Sequence, residues 1–526
     1  MNENPTLSAA QKPRGRAFLR KLSRPWPLLI ALLLALSVAL GVYAQTMAFV
    51  WDEGFHLVAA QLINLGAKPY LDFAFPQTLL NAYWNAAVLR FFGDNWHSVH
   101  FFDALFVSAT VWLASTYMMR RFPVDRWKLS CAAIVAGFIG LDLVVVPFGP
   151  SAQAYGSGMF LAFAAFRVAV VAVDRASIWL TVVASLLVSA AAGSTLLVAP
   201  AVPVLFVWIL LVNRAGHRLS KAFAFCVAAI IPFLPEIILF VRSPRLTFFN
   251  VVQYQALFRR VNWGDVGAHD FDIFLDWTVS AQTLLLGLLA IIGLVYLIRQ
   301  SNWDRKLRYE FYLAAAISLF TGAFIATAHP TFGRYFIFII PFVALLAGVG
   351  FYYSGSRLIS ADRPRWPTAI LFFIMLAGIT KWIFDDRDAT HWQDYEKIAA
   401  KVKQVTPPGQ EYMADELVYF LLHQRPPARM EFSYSHKLDL PTAQENLYHV
   451  ISFKKLGEQI AHGRFATVET CKDDVVDDLH LNDFFPNHQD FDDCTVFWRH
   501  GHEEKSPTAP KTGSKSVANK DLHDNS

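Results

Sequence analysis

Long apolar runs separated by short basic loops fill the chain from residue 25 to residue 384. They fall at 26–47, 97–119, 129–147, 155–173, 177–193, 195–212, 222–241, 278–298, 309–328, 334–354 and 367–384. Several exceed the roughly 18 apolar residues that mark a bilayer-spanning helix, and together they predict about eleven spans. The tightest pair is 177–193 and 195–212, joined through Gly193-Ser194-Thr195. Losing one span there would invert the topology of everything downstream.

Charge orients this pattern. Residues 1–24 carry Lys12, Arg14, Arg16, Arg20, Lys21 and Arg24, which predicts a cytoplasmic N-terminal tail. Alternation from there puts roughly 21 Lys and Arg in cytoplasmic segments and about 7 on the opposite face. The same parity sets the loop at 48–96 and everything after 384 on one extracytoplasmic side. A competing reading takes 26–47 as a signal peptide, because Val42-Tyr43-Ala44 resembles a cleavage site. Cleavage would remove the span that positions the acidic residues just after it.

Beyond about 385 the pattern becomes that of a soluble domain. Residues 391–404 have the spacing of an amphipathic helix, stopped by Pro407-Pro408-Gly409. Short apolar stretches at 447–453 and 495–498 suit strands, which gives a small α/β domain over 385–500. Cys471 and Cys494 are the cysteines of this domain, and on an oxidising face they can pair, closing a loop of about 24 residues. Residues 501–526 have no apolar pattern and read as a disordered tail. The expected fold is mainly α, a polytopic membrane domain over 25–384 with a small extracytoplasmic domain after it.

Composition agrees with this. Of 526 residues 55% are hydrophobic and only 17% charged, with mean hydropathy +0.34, which excludes an ordinary soluble protein. The net charge of +4 sits in short loops, not in a basic stripe with interleaved aromatics. Membrane lipids are therefore expected partners and nucleic acid is not.

Candidate chemistry concentrates between Trp51 and Pro76. Asp52, Glu53 and Asp72 stand at a membrane edge, where a carboxylate is costly unless it faces water, a cation or a reacting group. Phe55, Val58, Ala59, Leu62 and Ile63 repeat at helical spacing, which predicts a helix lying along the membrane surface. Asp52 and His56 would share one face of it, with Glu53 roughly 100° away. Helix N-capping also accounts for an acidic pair here. Asp52 with His56, or His97 with His100, supplies too few ligands for a structural metal, so none is expected.

The stretch WDEGFHLVAAQLINLGAKPYLDFAFPQTLLNAYW resembles the first extracytoplasmic loop of the GT-C membrane glycosyltransferases. The similarity is to the branch holding protein O-mannosyltransferases, lipid A aminoarabinose transferases and lipopolysaccharide-core galacturonosyltransferases. Those enzymes place an Asp-Glu pair after the first span, then a Gly…Pro-Tyr-x-Asp segment and a second helix. Here these are Asp52–Glu53, then Gly66, Pro69, Tyr70 and Asp72, then residues 77–93. The resemblance extends to the span architecture and to His329–Tyr335, where an Arg-Tyr pair before an apolar run with proline (Pro341) recurs near the donor site. It implies a polyprenyl-phosphate sugar donor, an extracytoplasmic acceptor (glycan, lipid or protein) and a place in the inner membrane with the C-terminal domain periplasmic. It does not settle a divalent cation, which some GT-C enzymes use and many of this branch do not.

Under that resemblance Asp52 is the expected base, with Glu53 sharing or orienting it and Asp72 as a second acid. The cations for a leaving lipid phosphate are Arg259 and Arg260 in the outer loop 242–276, Arg334 with Tyr335 and His329, and Lys68. Each has a plainer reading: headgroup contacts for Arg259 and Arg260, interface anchoring for Arg334 and Tyr335. The expected function is sugar transfer from a polyprenyl-phosphate donor. The alternatives are a transporter or flippase of a lipid-linked saccharide, or a non-catalytic membrane binding protein.

Overall fold

The computed structural model describes residues 25–46, 52–212, 218–261, 263–300, 302–359, 363–387 and 391–499; the expected tails at 1–24 and 501–526 lie outside them. All eleven apolar runs are largely helical. Among the described residues, seven helices are long and apolar enough to cross a membrane, from Pro25–Thr46 to Arg365–Asp385. Ile178–Ser194 and Leu196–Val212 are shorter apolar helices.

Three of the runs are interrupted for local reasons. In 129–147 the helix Lys128–Gly140 stops, and the Asp142 carboxylate accepts the N–H groups of Val144 (2.8 Å) and Val145 (3.0 Å), starting a new turn at Val145–Phe148. The run at 334–354 begins as tight 3₁₀ turns, Gly333–Phe338, before the helix Ile340–Leu358. Pro341 sits in that helix's first turn, where its missing N–H has no intrahelical bond to make. In the run at 222–241, Pro232 lies within a tight turn at Ile231–Phe233, and Pro235 sits in the first turn of the helix that follows. Elsewhere small residues allow close packing: Ala281–Arg299 lies so near Ile340–Leu358 that a Cβ on Gly350 would collide with the Leu289 carbonyl.

The first loop forms two helices, Glu53–Asn64 and Leu79–Phe92. The first has the helical form its spacing suggested, but it is covered on more than its apolar face. Residues 53–62 are all buried, because the C-terminal domain covers them. A Cβ on Gly54 would sit 2.8 Å from Glu416 Cβ and 2.9 Å from Leu417 N, so only glycine permits this approach. Trp96 and Trp392 stack with ring centroids 4.9 Å apart. Phe55, Leu57, Phe75 and Trp96 therefore share one hydrophobic core with Trp392, Ile398, Tyr419 and Val496.

The C-terminal domain opens with the helix Trp392–Val405 and carries a four-stranded sheet. Its strands are β1 (Glu411–Met413), β2 (Phe465–Thr470), β3 (Asn487–Phe491) and β4 (Cys494–Trp498), in the order β1-β2-β4-β3. β1 and β2 are parallel, and the other two pairings are antiparallel. The expected strand at 447–453 is absent. The helix Thr442–Tyr448 ends at His449, which is left-handed (φ 57°), and a new helix starts at Phe453 after Ser452. Val450 and Ile451 are buried in this connection, which accounts for their apolar character.

Candidate active site

Asp52 occupies the N-cap position of Glu53–Asn64 in a left-handed conformation (φ 60°), yet its side chain makes no capping bond. It turns instead to two distant partners. Arg334 Nη2 donates to Asp52 Oδ2 at 2.5 Å, and the Tyr434 hydroxyl donates to Asp52 Oδ1. The side chains of this ion pair are 17% and 10% exposed, so it is mostly withdrawn from solvent. The Arg334 guanidinium lies over the Phe332 ring at 4.4 Å, and its Nε is buried without a partner.

Arg259 follows a π-helical segment, Phe249–Phe258, of the kind often found at functional positions. That segment is tied down by the Phe75 N–H bond to Asn250 Oδ1 (2.8 Å), the Gln255 bond to the Pro76 carbonyl (2.5 Å) and stacking of Phe249 on Tyr448. It leaves Arg259 donating to the Tyr335 hydroxyl, with its guanidinium over the Phe332 and Tyr335 rings. Lys437 Nζ donates to the Arg259 carbonyl at 2.7 Å. Burial, with Arg259 and Lys472 nearby, brings the Lys437 ammonium down to about 8. The turn carrying Arg334 is anchored by Asp270, which accepts the Thr331 N–H at 2.6 Å and pairs with His329.

Two cavities meet at this cluster. One, of about 630 Å³, is lined by Leu196, Leu197, Val251, Val252 and Phe324 along with Arg259, Arg260 and His329. The other, of about 320 Å³, opens against the C-terminal domain, at Asp415, Glu416, Tyr434 and Lys472. Asp52, Phe55, Gln77, Gln255, Arg259 and Tyr335 line both. Cys471 and Cys494 form a disulfide at the second cavity, and the Lys472 ammonium sits 5.4 Å from the Tyr434 ring centroid. Burial raises the Glu416 carboxyl to about 7, with Asp415 adding to the effect. The Glu469 carboxyl beside it, which accepts the Asp415 N–H, rises to about 8 for the same two reasons.

The structure thus gathers Asp52, Arg334, Tyr335, Arg259, Arg260 and His329 around one pair of cavities. The other candidates lie elsewhere. Glu53 is fully buried behind Asp52, bonded to His100 Nε2 at 2.8 Å, and lines neither cavity. Burial pushes its carboxyl up, against the opposing pull of His100. Asp72 accepts the Lys68 N–H at 2.7 Å and faces a separate open groove beside Arg425 and His449; Lys68 itself is exposed. The sequence reading missed Tyr434 and Asp270. Tyr434 comes from a domain with no local motif to announce it, whereas Asp270, an acid at an expected membrane edge, carried the signal that singled out Asp52. Among the described residues, the one grouping of three metal-type ligands is Glu469, Cys471 and Cys494, and the disulfide takes up both its sulfurs.

No family model and no curated protein matches the chain. Solved structures do. ArnT from Cupriavidus metallidurans bound to undecaprenyl phosphate aligns over 89% of this chain and 97% of its own, at TM-score 0.64 and 13% identity. ArnT from the same organism in the apo state aligns over the same shares at TM-score 0.64 and 14% identity. The chain therefore shares the fold of these ArnT structures along nearly its whole length.

Proposed function

We propose that the protein is an integral-membrane glycosyltransferase that moves a sugar from a polyprenyl-phosphate donor to an extracytoplasmic acceptor. The observation that carries this reading is the Asp52–Arg334 pair at the junction of a largely apolar cavity and a cavity facing a soluble domain. A lipid phosphate with its first isoprene units suits the former, and an acceptor arriving from the aqueous side suits the latter. The bound lipid in one of the ArnT structures supports a polyprenyl phosphate as the ligand class.

In the proposed reaction an acceptor hydroxyl replaces the Tyr434 hydroxyl at Asp52 Oδ1. Its oxygen bonds to the anomeric carbon as its proton passes to Asp52. The bond between the anomeric carbon and the phosphate oxygen breaks, and its electron pair leaves with the polyprenyl phosphate. Arg259 and Arg260 meet that growing charge, with Arg334 holding Asp52 in place. Glu53 supports the turn that presents Asp52, and His329 the turn that presents Arg334. The same reading puts the first loop and the C-terminal domain in the periplasm.

The test is transfer from a panel of radiolabelled polyprenyl-phosphate sugars in membranes holding wild type or Asp52→Asn. Labelled acceptor and free polyprenyl phosphate with wild type alone are expected. Full activity in Asp52→Asn would remove Asp52 from the reaction, and intact lipid-linked sugar crossing the bilayer would favour a transporter.

A further inference from the structure

The larger cavity has a polar lining that the proposed transfer leaves unused. His56 and Thr78 both line it, and both are more than nine-tenths buried. His56 Nδ1 and Thr78 Oγ1 have no hydrogen-bond partner. Two such atoms beside one cavity are costly unless a ligand or water completes them. Thr78 occupies the N-cap of Leu79–Phe92 without making a capping bond, and the first N–H of that helix, Leu79, goes to Glu236 Oε1 at 2.8 Å.

The lining also sorts by element. Asp52, His56, Gln77 and Thr78 come from the first loop, whereas Arg259 and Arg260 come from the segment after Phe249–Phe258. If the arginines take the phosphate and Asp52 the reacting carbon, as the proposed function has it, the group attached to that carbon must lie on the first-loop side. We propose that His56 and Thr78 form the subsite for the sugar of the lipid-linked donor, and that this subsite selects an uncharged, hydroxylated sugar.

The chemistry of the lining supports the second half of this. Burial between Phe55 and Phe75 lowers the His56 imidazole to about 4, so it is neutral near pH 7 and able to donate at one nitrogen and accept at the other. Thr78 likewise both donates and accepts, as sugar hydroxyls do. The side chains around them, Gln77, Gln153, Tyr155, Ser194 and Thr195, are uncharged. The lining's fixed cations are Arg259 and Arg260, its His329 is bonded to Asp270, and its carboxylate is Asp52, paired with Arg334. With Arg259 and Arg260 both on the phosphate, a uronic acid would bring a further anion to a first-loop side that carries no Lys or Arg, and an amino sugar would need a carboxylate that is already engaged.

Binding to purified full-length protein in nanodiscs tests this without knowledge of the acceptor. The probes are polyprenyl phosphate alone and its hexose, uronic acid and amino-pentose conjugates. Wild type is expected to bind the hexose conjugate more tightly than the bare lipid phosphate. Thr78→Val and His56→Phe should each weaken the hexose conjugate about five- to fifteenfold while leaving bare polyprenyl phosphate unchanged, and Thr78→Ser should restore most of the loss. Equal effects on both ligands, or none, would overturn the subsite. Tighter binding of a charged conjugate by wild type would overturn its selectivity. Wild type that binds no polyprenyl phosphate in any form would remove the proposed function itself, and the subsite with it.

Discussion

Breaking the Asp52–Arg334 pair from each side in turn should cost more, when the two losses are summed, than removing both charges together. Arg334→Met keeps much of the side-chain volume against Phe332 and Tyr335 but leaves Asp52 without its cation. Stranding one member of a buried pair costs about 3–5 kcal/mol. Here Asp52 is 17% exposed and keeps the Tyr434 hydroxyl, so partial hydration lowers the expected loss to about 2–3 kcal/mol. Asp52→Asn leaves the arginine short of a counter-charge, though an amide oxygen still accepts a hydrogen bond, and about 1–2 kcal/mol is expected. The double variant should recover about 1–2 kcal/mol of the summed losses. The assay is a double-mutant cycle on reversible unfolding in mixed micelles, repeated at high salt, which should change the coupling little because the pair is mostly buried. A coupling below about 0.5 kcal/mol, or one abolished by salt, would refute a desolvated pair at this junction.

Three further outcomes follow from the geometry. Tyr434→Phe removes the hydroxyl that the C-terminal domain supplies to Asp52, and should change the turnover rate about tenfold with little change in melting temperature; unchanged kinetics would make Tyr434 a packing residue. Cys471→Ser with Cys494→Ser removes a link across 23 residues and should cost about 3 kcal/mol in the chain-entropy model, read as a lower unfolding midpoint that reductant reproduces in wild type. Glu469 is raised by burial to about 8, so the folded state holds its proton where the unfolded state has lost it. The stability from this group is present below the unfolded value near 4.5 and is lost as pH rises towards about 8. Glu469→Gln should therefore flatten the fall in melting temperature between those limits and stabilise the protein at pH 8; an unaltered pH profile would show that this carboxyl does not hold a proton.

The helices were legible because an apolar run of bilayer length has few other stable forms. Their interruptions were not, since they depend on single residues such as Asp142 and Pro341 whose local effect needs a three-dimensional partner or register. Asp52 was legible as a charge in a costly place, and Arg334 as a cation beside a recurring Arg-Tyr pair. Their direct contact across 282 residues was not, because no periodicity encodes it. The first-loop helix showed the limit of pattern reading: its apolar face suggested a membrane surface, but the other face is buried too, under a domain more than 300 residues away in sequence. Tyr434 and the unpartnered His56 and Thr78 emerged only once the cavities were in place.

The most direct measurement is an experimental structure of the wild-type protein with a polyprenyl phosphate bound. The phosphate is predicted in the larger cavity within hydrogen-bond reach of Arg259 or Arg260, its isoprene units along Leu196, Leu197 and Val252, and Asp52 still at the junction with Arg334. A lipid seated outside that cavity, or a phosphate too far from Asp52 for an attached sugar to bridge them, would contradict the account.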